Sequence, residues 1–260
     1  MPGKLLVDEP ADGVVRLTIS NPEKRNALDH AILDGLARAV SEADARCLIL
    51  TGADGMFSSG YDIGDIPDDV FAVEAEKLVA HPFTDALDAL DATDIPTVAA
   101  LPGHTIGGGL ELALCCDVRV AAEDIKLGMP PAKLGLVYSH TGLRRFIQSI
   151  GAPRTRELFL LGRNVDARTA EVWGLVNRVA DEDELQDVAL DLARELAGNA
   201  PLSVRGNKRV IRELLAADVR LDEQVIRELI ELREACFASE DMREGVRAFA
   251  EKRPPRWQGR

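Results

Sequence analysis

Cysteine is scarce in this sequence: four residues, at positions 47, 115, 116 and 236, with no C-x-x-C spacing. That pattern offers neither a disulfide framework nor a zinc site, and reads as reduced, mostly buried thiols. Histidine is equally sparse, with four residues (30, 81, 104 and 140) and no H-x-x-x-H pair, so a metal-free protein is expected. Positive charge is in deficit, with a formal net charge of -13 and a pI near 4.8. Such a chain has no global field for nucleic acid and carries no basic aromatic patch, so a polyanionic ligand must be held by local cations. No apolar run approaches the roughly 18 residues of a membrane span. The start, Met1-Pro2-Gly3-Lys4, lacks the apolar core of a signal peptide, so a cytoplasmic location without a membrane partner is expected.

What the chain does have is apolar content, 46% in 260 residues, enough for one sizeable core. Residues 5–7 and 14–19 read as antiparallel strands split by the turn signal Pro10-Ala11-Asp12-Gly13. Asp29 is placed to cap a helix whose apolar residues Ile32, Leu33, Leu36 and Val40 keep helical spacing. A short strand over 47–50 and a small-residue loop follow; residues 68–90 are helical in pattern, interrupted near Pro82. Strands are expected over 96–101 and 118–121, a helix over 107–116, and a Pro/Gly-punctuated loop over 126–138. Helices then dominate, over 141–150, 154–161, 167–173 and 182–197, with three more and no strand after Pro201. Strand and helix alternating, then helix alone, is an α/β body (1–198) with a helical C-terminal region (199–260).

The stretch that bears on chemistry is residues 103–117, GHTIGGGLELALCCD. Three consecutive glycines, Gly107 to Gly109, at a strand-to-helix junction let a backbone or a ligand approach closely. Free N–H groups in a first helical turn suit a developing negative charge, and Glu111 stands over the same face as the Gly108 amide. An oxyanion donor beside a carboxylate is what chemistry next to a carbonyl needs. Taken alone, the pattern is equally that of a tight glycine turn with an early-helix charge.

Five segments in order resemble the crotonase family, the enoyl-CoA hydratase/isomerase superfamily. They are NPEKRNAL (21–28), FSSGYDI (57–63), GGGLELA (107–113), LGMP (127–130) with KLGL (133–136), and AFAEKR (248–253). The resemblance implies a spiral of ββα units and coenzyme A thioester substrates, with coenzyme A entering as part of the substrate and no separate cofactor. It also implies trimers, or dimers of trimers, built through the C-terminal helices. By position it puts an oxyanion hole on the backbone N–H groups of Tyr61 and Gly108, with Glu111 as the acid. Coenzyme contacts fall on Lys24, Arg25, Asp62 and Ile63, with Ala27, Ser59, Gly107 and Pro131 along the substrate path. Phe249 and Lys252 match positions where a neighbouring subunit touches the nucleotide end.

One departure separates this chain from the family's hydratases. Their second glutamate follows the proline of Gly-x-Pro-Glu, whereas this chain reads Gly128-Met129-Pro130-Pro131. Pro131 can neither give nor take a proton, so a two-acid hydration site is incomplete, and Asp124 is too far along the loop to substitute. The segment LGLVYS (134–139) is similar to the family's methylmalonyl-CoA decarboxylases, which carry a tyrosine after this turn. Tyr138 then reads either as a group that positions a leaving carboxylate or as a core plug with its hydroxyl on backbone. The favoured expectation is a lyase, a malonyl-type decarboxylase acting through an enolate. Hydration or double-bond isomerisation on Glu111 alone, and a non-catalytic acyl-CoA-binding role, remain as alternatives. His140 reads as an assistant to Tyr138 or as a structural or exposed loop histidine, and His104 as a turn or packing residue.

Overall fold

The computed structural model describes residues 2–62, 74, 77, 79–217 and 222–258. Strands β1 (Lys4–Ala11) and β2 (Val14–Ser20) form the expected antiparallel pair. From β2 the main sheet grows by parallel neighbours β3 (Cys47–Gly52), β4 (Thr97–Leu101), β6 (Val118–Ala122) and β9 (Arg178–Ala180), in the order β1-β2-β3-β4-β6-β9. Successive strands thus add at one edge as the chain winds, which is the spiral expected. Every residue of β3 and β4 is buried, as parallel strands covered on both faces must be.

Helix α1 (His30–Ser41) starts where Asp29 predicts, its carboxylate accepting the Ile32 N–H at 2.9 Å. It buries Ile32, Leu33, Leu36 and Val40 against β1, β2 and α2 (Thr84–Ala92). A π-turn over Val79–Phe83 contains Pro82 and leads into α2, which is the interruption expected there. The rest of the helical stretch expected over 68–78 lies outside the described residues, apart from helical positions 74 and 77. Helix α7 (Leu185–Gly198) crosses β3, β4 and β6, inserting Leu185, Ala189 and Ala193 at every fourth position.

A second, small sheet was not foreseen. It joins β5 (Thr105–Ile106), β7 (Lys126–Gly128) and β8 (Val165–Asp166) in the order β5-β7-β8. The expected loop over 126–138 is therefore corrected: it holds β7 and a one-turn helix, α4 (Pro131–Leu134), with Pro131 at its first position. Strands of two or three residues carry no period of their own and exist through their partners, which is why β5, β7, β8 and β9 escape detection.

Helix α3 (Gly108–Leu114) follows β5, and α5 (His140–Leu161) follows α4. The two helices expected in the α5 region meet at Gly151, whose non-helical φ of 73° and ψ of 161° breaks the rod. After α6 (Ala167–Trp173), β9 and α7, the described chain is helical: α8 (Pro201–Ala217), α9 (Glu223–Phe237) and α10 (Glu240–Ala250). Cations of α8 hold it to the body, Arg205 donating to Ala45 O, Lys208 to Ile95 O, and Arg212 to Asp91 O and Ala92 O. No helix among the described residues is long and apolar enough to cross a membrane.

Candidate active site

Two loops are clipped together before any chemistry is possible. The Asn26 side chain donates to Ala53 O and Met56 O and accepts the Asn21 N–H, while Asn21 donates to Ala27 O. This holds the 21–28 segment against the turn after β3. Backbone bonds from Leu28 N to Gly60 O (2.8 Å), Asp62 N to Leu28 O (3.1 Å) and Ile106 N to Ser58 O (3.0 Å) then fix the 58–62 loop between that segment and β5.

The glycines of the third segment allow this close stacking. Gly107 precedes α3 with φ 58° and ψ -128°, a conformation open to glycine. A Cβ on Gly108 would lie 2.7 Å from Cε1 of Tyr61, and one on Gly109 would lie 2.7 Å from Cβ of Ser58. A Cβ on Gly60 would come within 3.3 Å of Gly108 N. Tyr61 and Gly108, assigned to one site from motifs 47 residues apart, are therefore neighbours.

Glu111, in the first turn of α3, is 1% exposed. Its Oε2 accepts the Tyr138 hydroxyl at 2.6 Å, and Tyr138 OH lies 3.2 Å from Tyr61 OH. The chain's only two tyrosines thus meet beside its buried glutamate. Of the two readings open for Tyr138, a hydroxyl tied to backbone is the one set aside: it is tied to Glu111. The Tyr138 ring is packed edge-on against Phe159, and Tyr61 edge-on against Phe83. Behind Glu111, Arg145 of α5 brings Nε to 3.6 Å from Oε1 and donates from Nη1 to Asp91 at 2.6 Å.

Burial pushes the Glu111 carboxyl above its ordinary pKa, against the downward pull of the Tyr138 hydroxyl and the Arg145 guanidinium. Tyr138 is also raised, first by burial and then by the charge of Glu111. His140, the first residue of α5, is lowered by burial and by the nearby Arg233 and Arg144.

The other expected site residues fall as follows. Lys24 Nζ lies 2.7 Å from Asp62 Oδ2, so these two form an ion pair beside the clipped loops. Arg25 is exposed and left-handed (φ 54°), its carbonyl accepting Ser59 N–H, while Ser59 Oγ donates to Lys24 O. Ala27 is buried behind the same loop, and Ile63 lies outside the described residues. Pro131 is buried in the first turn of α4, so no acid occupies the position of the second glutamate. Phe249 (68% exposed) sits in the last turn of α10 and Lys252 in the turn after it, away from any described contact with Glu111 or Tyr138. His104 is exposed in the turn before β5, its Nδ1 accepting Lys126 N–H, so of the turn and packing readings the turn is the one found. Asp124 lines a separate cavity of about 200 Å³ with His104 and Glu182, so it does not stand in for the missing acid.

Arg145 and Asp91 were not singled out from the sequence. Arg144-Arg145 reads as a solvated helix face, and only tertiary packing turns one of the pair inward. Among the described residues no cluster of three or more His, Cys, Asp or Glu side chains could hold a metal ion.

A winding α/β body that brings a glycine-rich helix start, a buried carboxyl and two tyrosines together has the architecture of the crotonase-type acyl-CoA enzymes. The family description "Enoyl-CoA hydratase/isomerase" matches residues 9–260, and the chain belongs to that family. It is 34% identical over 245 residues to "Probable enoyl-CoA hydratase echA8" of Mycobacterium tuberculosis, covering 93% of each protein. It is 32% identical over 255 residues to 2,3-dehydroadipyl-CoA hydratase of Escherichia coli strain K12, covering 95% of this chain and 96% of that one. Among solved structures it resembles methylmalonyl-CoA decarboxylase complexed with 2S-carboxypropyl CoA, with a TM-score of 0.89, 26% identity and 98% of each chain covered.

Proposed function

We propose that this protein releases CO₂ from a short malonyl-type acyl-CoA, such as methylmalonyl-CoA, through an oxyanion-stabilised enolate. The observation that carries the reading is the acid inventory: Glu111 bonded to Tyr138, with Pro131 where a hydratase needs its second glutamate. Breaking the bond between the α-carbon and the carboxylate leaves its electron pair on the thioester as an enolate, so no base is required. Backbone N–H groups of Tyr61 and Gly108 are assigned to the developing oxyanion, a role in which one lost donor typically costs about a hundredfold in rate. The Tyr138–Glu111 pair then supplies the proton that the α-carbon takes up, and solvent restores it. The raised pKa of Glu111 suits a group that must hold that proton near neutrality.

Lys24, Arg25 and the backbone near Asp62 are assigned to the coenzyme, with Ala27, Ser59, Gly107 and Pro131 along the acyl path. Self-association is supported by exposed apolar residues on α8, namely Val210, Ile211, Leu214 and Leu215, and would bring Phe249 and Lys252 to a neighbour's nucleotide. The reading is tested by mass-resolved assay of the purified protein on methylmalonyl-CoA, ethylmalonyl-CoA and crotonyl-CoA. Decarboxylation far faster than hydration is expected; efficient hydration of crotonyl-CoA without CO₂ release overturns it.

A second reading is supported by the hydratase names of the relatives and by Glu111 Oε1, which has no hydrogen-bond partner. In that reading Glu111 alone moves a proton between substrate carbons or adds water. Deuterium exchange at the γ-carbon of an enoyl-CoA, abolished by Glu111→Gln, is its signature.

A further inference from the structure

We infer that Arg145, braced from behind by Asp91, is a positioning residue that sets the ionisation of Glu111. The inference rests on Glu111 being the proton-exchanging group of the site, whichever reaction makes the enolate.

The geometry is that of a charge held close but not bonded. Glu111 Oε1 and Arg145 Nε are both buried, neither has a hydrogen-bond partner, and they face each other at 3.6 Å. That separation is too long for a hydrogen bond and short enough for strong attraction between opposite charges in a dry site. The two form an ion pair that stops short of hydrogen-bond contact. The guanidinium is also drawn the other way, its Nη1 donating to Asp91 at 2.6 Å. The result leaves Oε1 without a competing donor while keeping a full positive charge beside it. Gly142 makes room for this arrangement, since a Cβ there would lie 2.9 Å from Oε1 and 2.6 Å from the Tyr138 ring.

The groups facing the carboxyl come from four elements. Tyr138 arrives from the segment before α5 and carries Tyr61 behind it; Arg145 comes from α5, Asp91 from the end of α2, and Cys115 from the cap of α3, its thiol donating to the Glu111 backbone carbonyl. Burial drives Glu111 towards the neutral form, Tyr138 and Arg145 oppose it, and Asp91 adds to the drive. Cys115 is raised by burial and stays a neutral thiol. Arg145 is thus the one cation among these groups. Without it, the balance shifts further towards the neutral carboxyl.

The two-tyrosine inventory makes the test clean. In protein labelled at tyrosine Cζ with carbon-13, two signals are expected, and Tyr61→Phe identifies the Tyr138 signal. Because Tyr138 donates to Glu111, its signal steps as that carboxyl titrates, and the step is absent in Glu111→Gln. Arg145→Gln moves the step to higher pH by about one unit or more, and Arg145→Lys moves it back towards the wild-type position. Asp91→Asn removes an opposing charge and frees the guanidinium, so it moves the step to lower pH. A step that stays put in Arg145→Gln, that stays in Arg145→Lys where Arg145→Gln puts it, or that moves the same way in Asp91→Asn as in Arg145→Gln, overturns the inference. The signal needs no turnover, so the inference and the proposed reaction can fail independently.

Discussion

Replacing Tyr138 by Phe removes one oxygen atom from the centre of the site and little else. The ring stays packed edge-on against Phe159, with centroids 5.5 Å apart. What is lost is the 2.6 Å bond to Glu111 Oε2 and the 3.2 Å contact with Tyr61 OH. Since Oε1 already lacks a hydrogen-bond partner, the variant leaves the whole carboxyl without one in a site that is 1% exposed. A hydrogen bond to a charged group contributes about 1.5–3 kcal/mol, so a loss of about 2 kcal/mol is expected when Glu111 is ionised. For a chain of this size that corresponds to a drop of about 4–8 °C in Tm. The pH dependence follows from the directions of the shifts. Burial raises the folded pKa of Glu111 and the Tyr138 donor pulls it down, so the donor's contribution is full above that pKa and fades as pH falls through it. Urea unfolding of both proteins at fixed concentration, at about pH 9 and about pH 5, should show a larger destabilisation at the higher pH. Equal losses at both values, or a larger loss in acid, would refute the pairing of Tyr138 with an ionised Glu111.

Three further outcomes test other parts of the structure. Gly108→Ala puts a methyl group 2.7 Å from Cε1 of Tyr61, so turnover of the best acyl-CoA should fall about a hundredfold or more, with the circular dichroism spectrum unchanged. Asp29→Ala removes the cap on Ile32 N–H and the acceptor for Gly3 N–H, and should cost about 2 kcal/mol in urea unfolding. Burial pushes the thiols of Cys47 and Cys116 up to about 12 and raises that of Cys115 well above its ordinary value, whereas Cys236 is only half-buried. A disulfide reagent at neutral pH should therefore modify no more than Cys236 in the folded protein and all four thiols in urea.

Features written in local chemistry were legible from the residues alone. Asp29 before an apolar stripe marks a cap, a continuous apolar run marks β4, and Pro82 marks an interruption. The resemblance of five ordered motifs supplied what no local pattern contains, namely that Tyr61 and Gly108 lie side by side. Long-range pairing without period stayed hidden. Strands β5, β7 and β8 are two or three residues each, and β7 with α4 occupies a stretch whose prolines and glycines read as loop. Arg145 was hidden for a related reason: position within a charged pair on a helix does not say which member turns inward. Lys24 shows the converse, since a cation expected at a ligand is here bonded to Asp62, another residue expected there.

Formation of a thioester enolate at this site, as proposed, is read out by solvent exchange at the α-carbon. Incubated in D₂O with the protein, propionyl-CoA should incorporate deuterium at its α-carbon, resolved by mass, with the rate lost in Glu111→Gln and sharply reduced in Gly108→Ala. Binding of propionyl-CoA with no exchange above the uncatalysed rate would contradict the claim and leave a protein that holds acyl-CoA without acting on it.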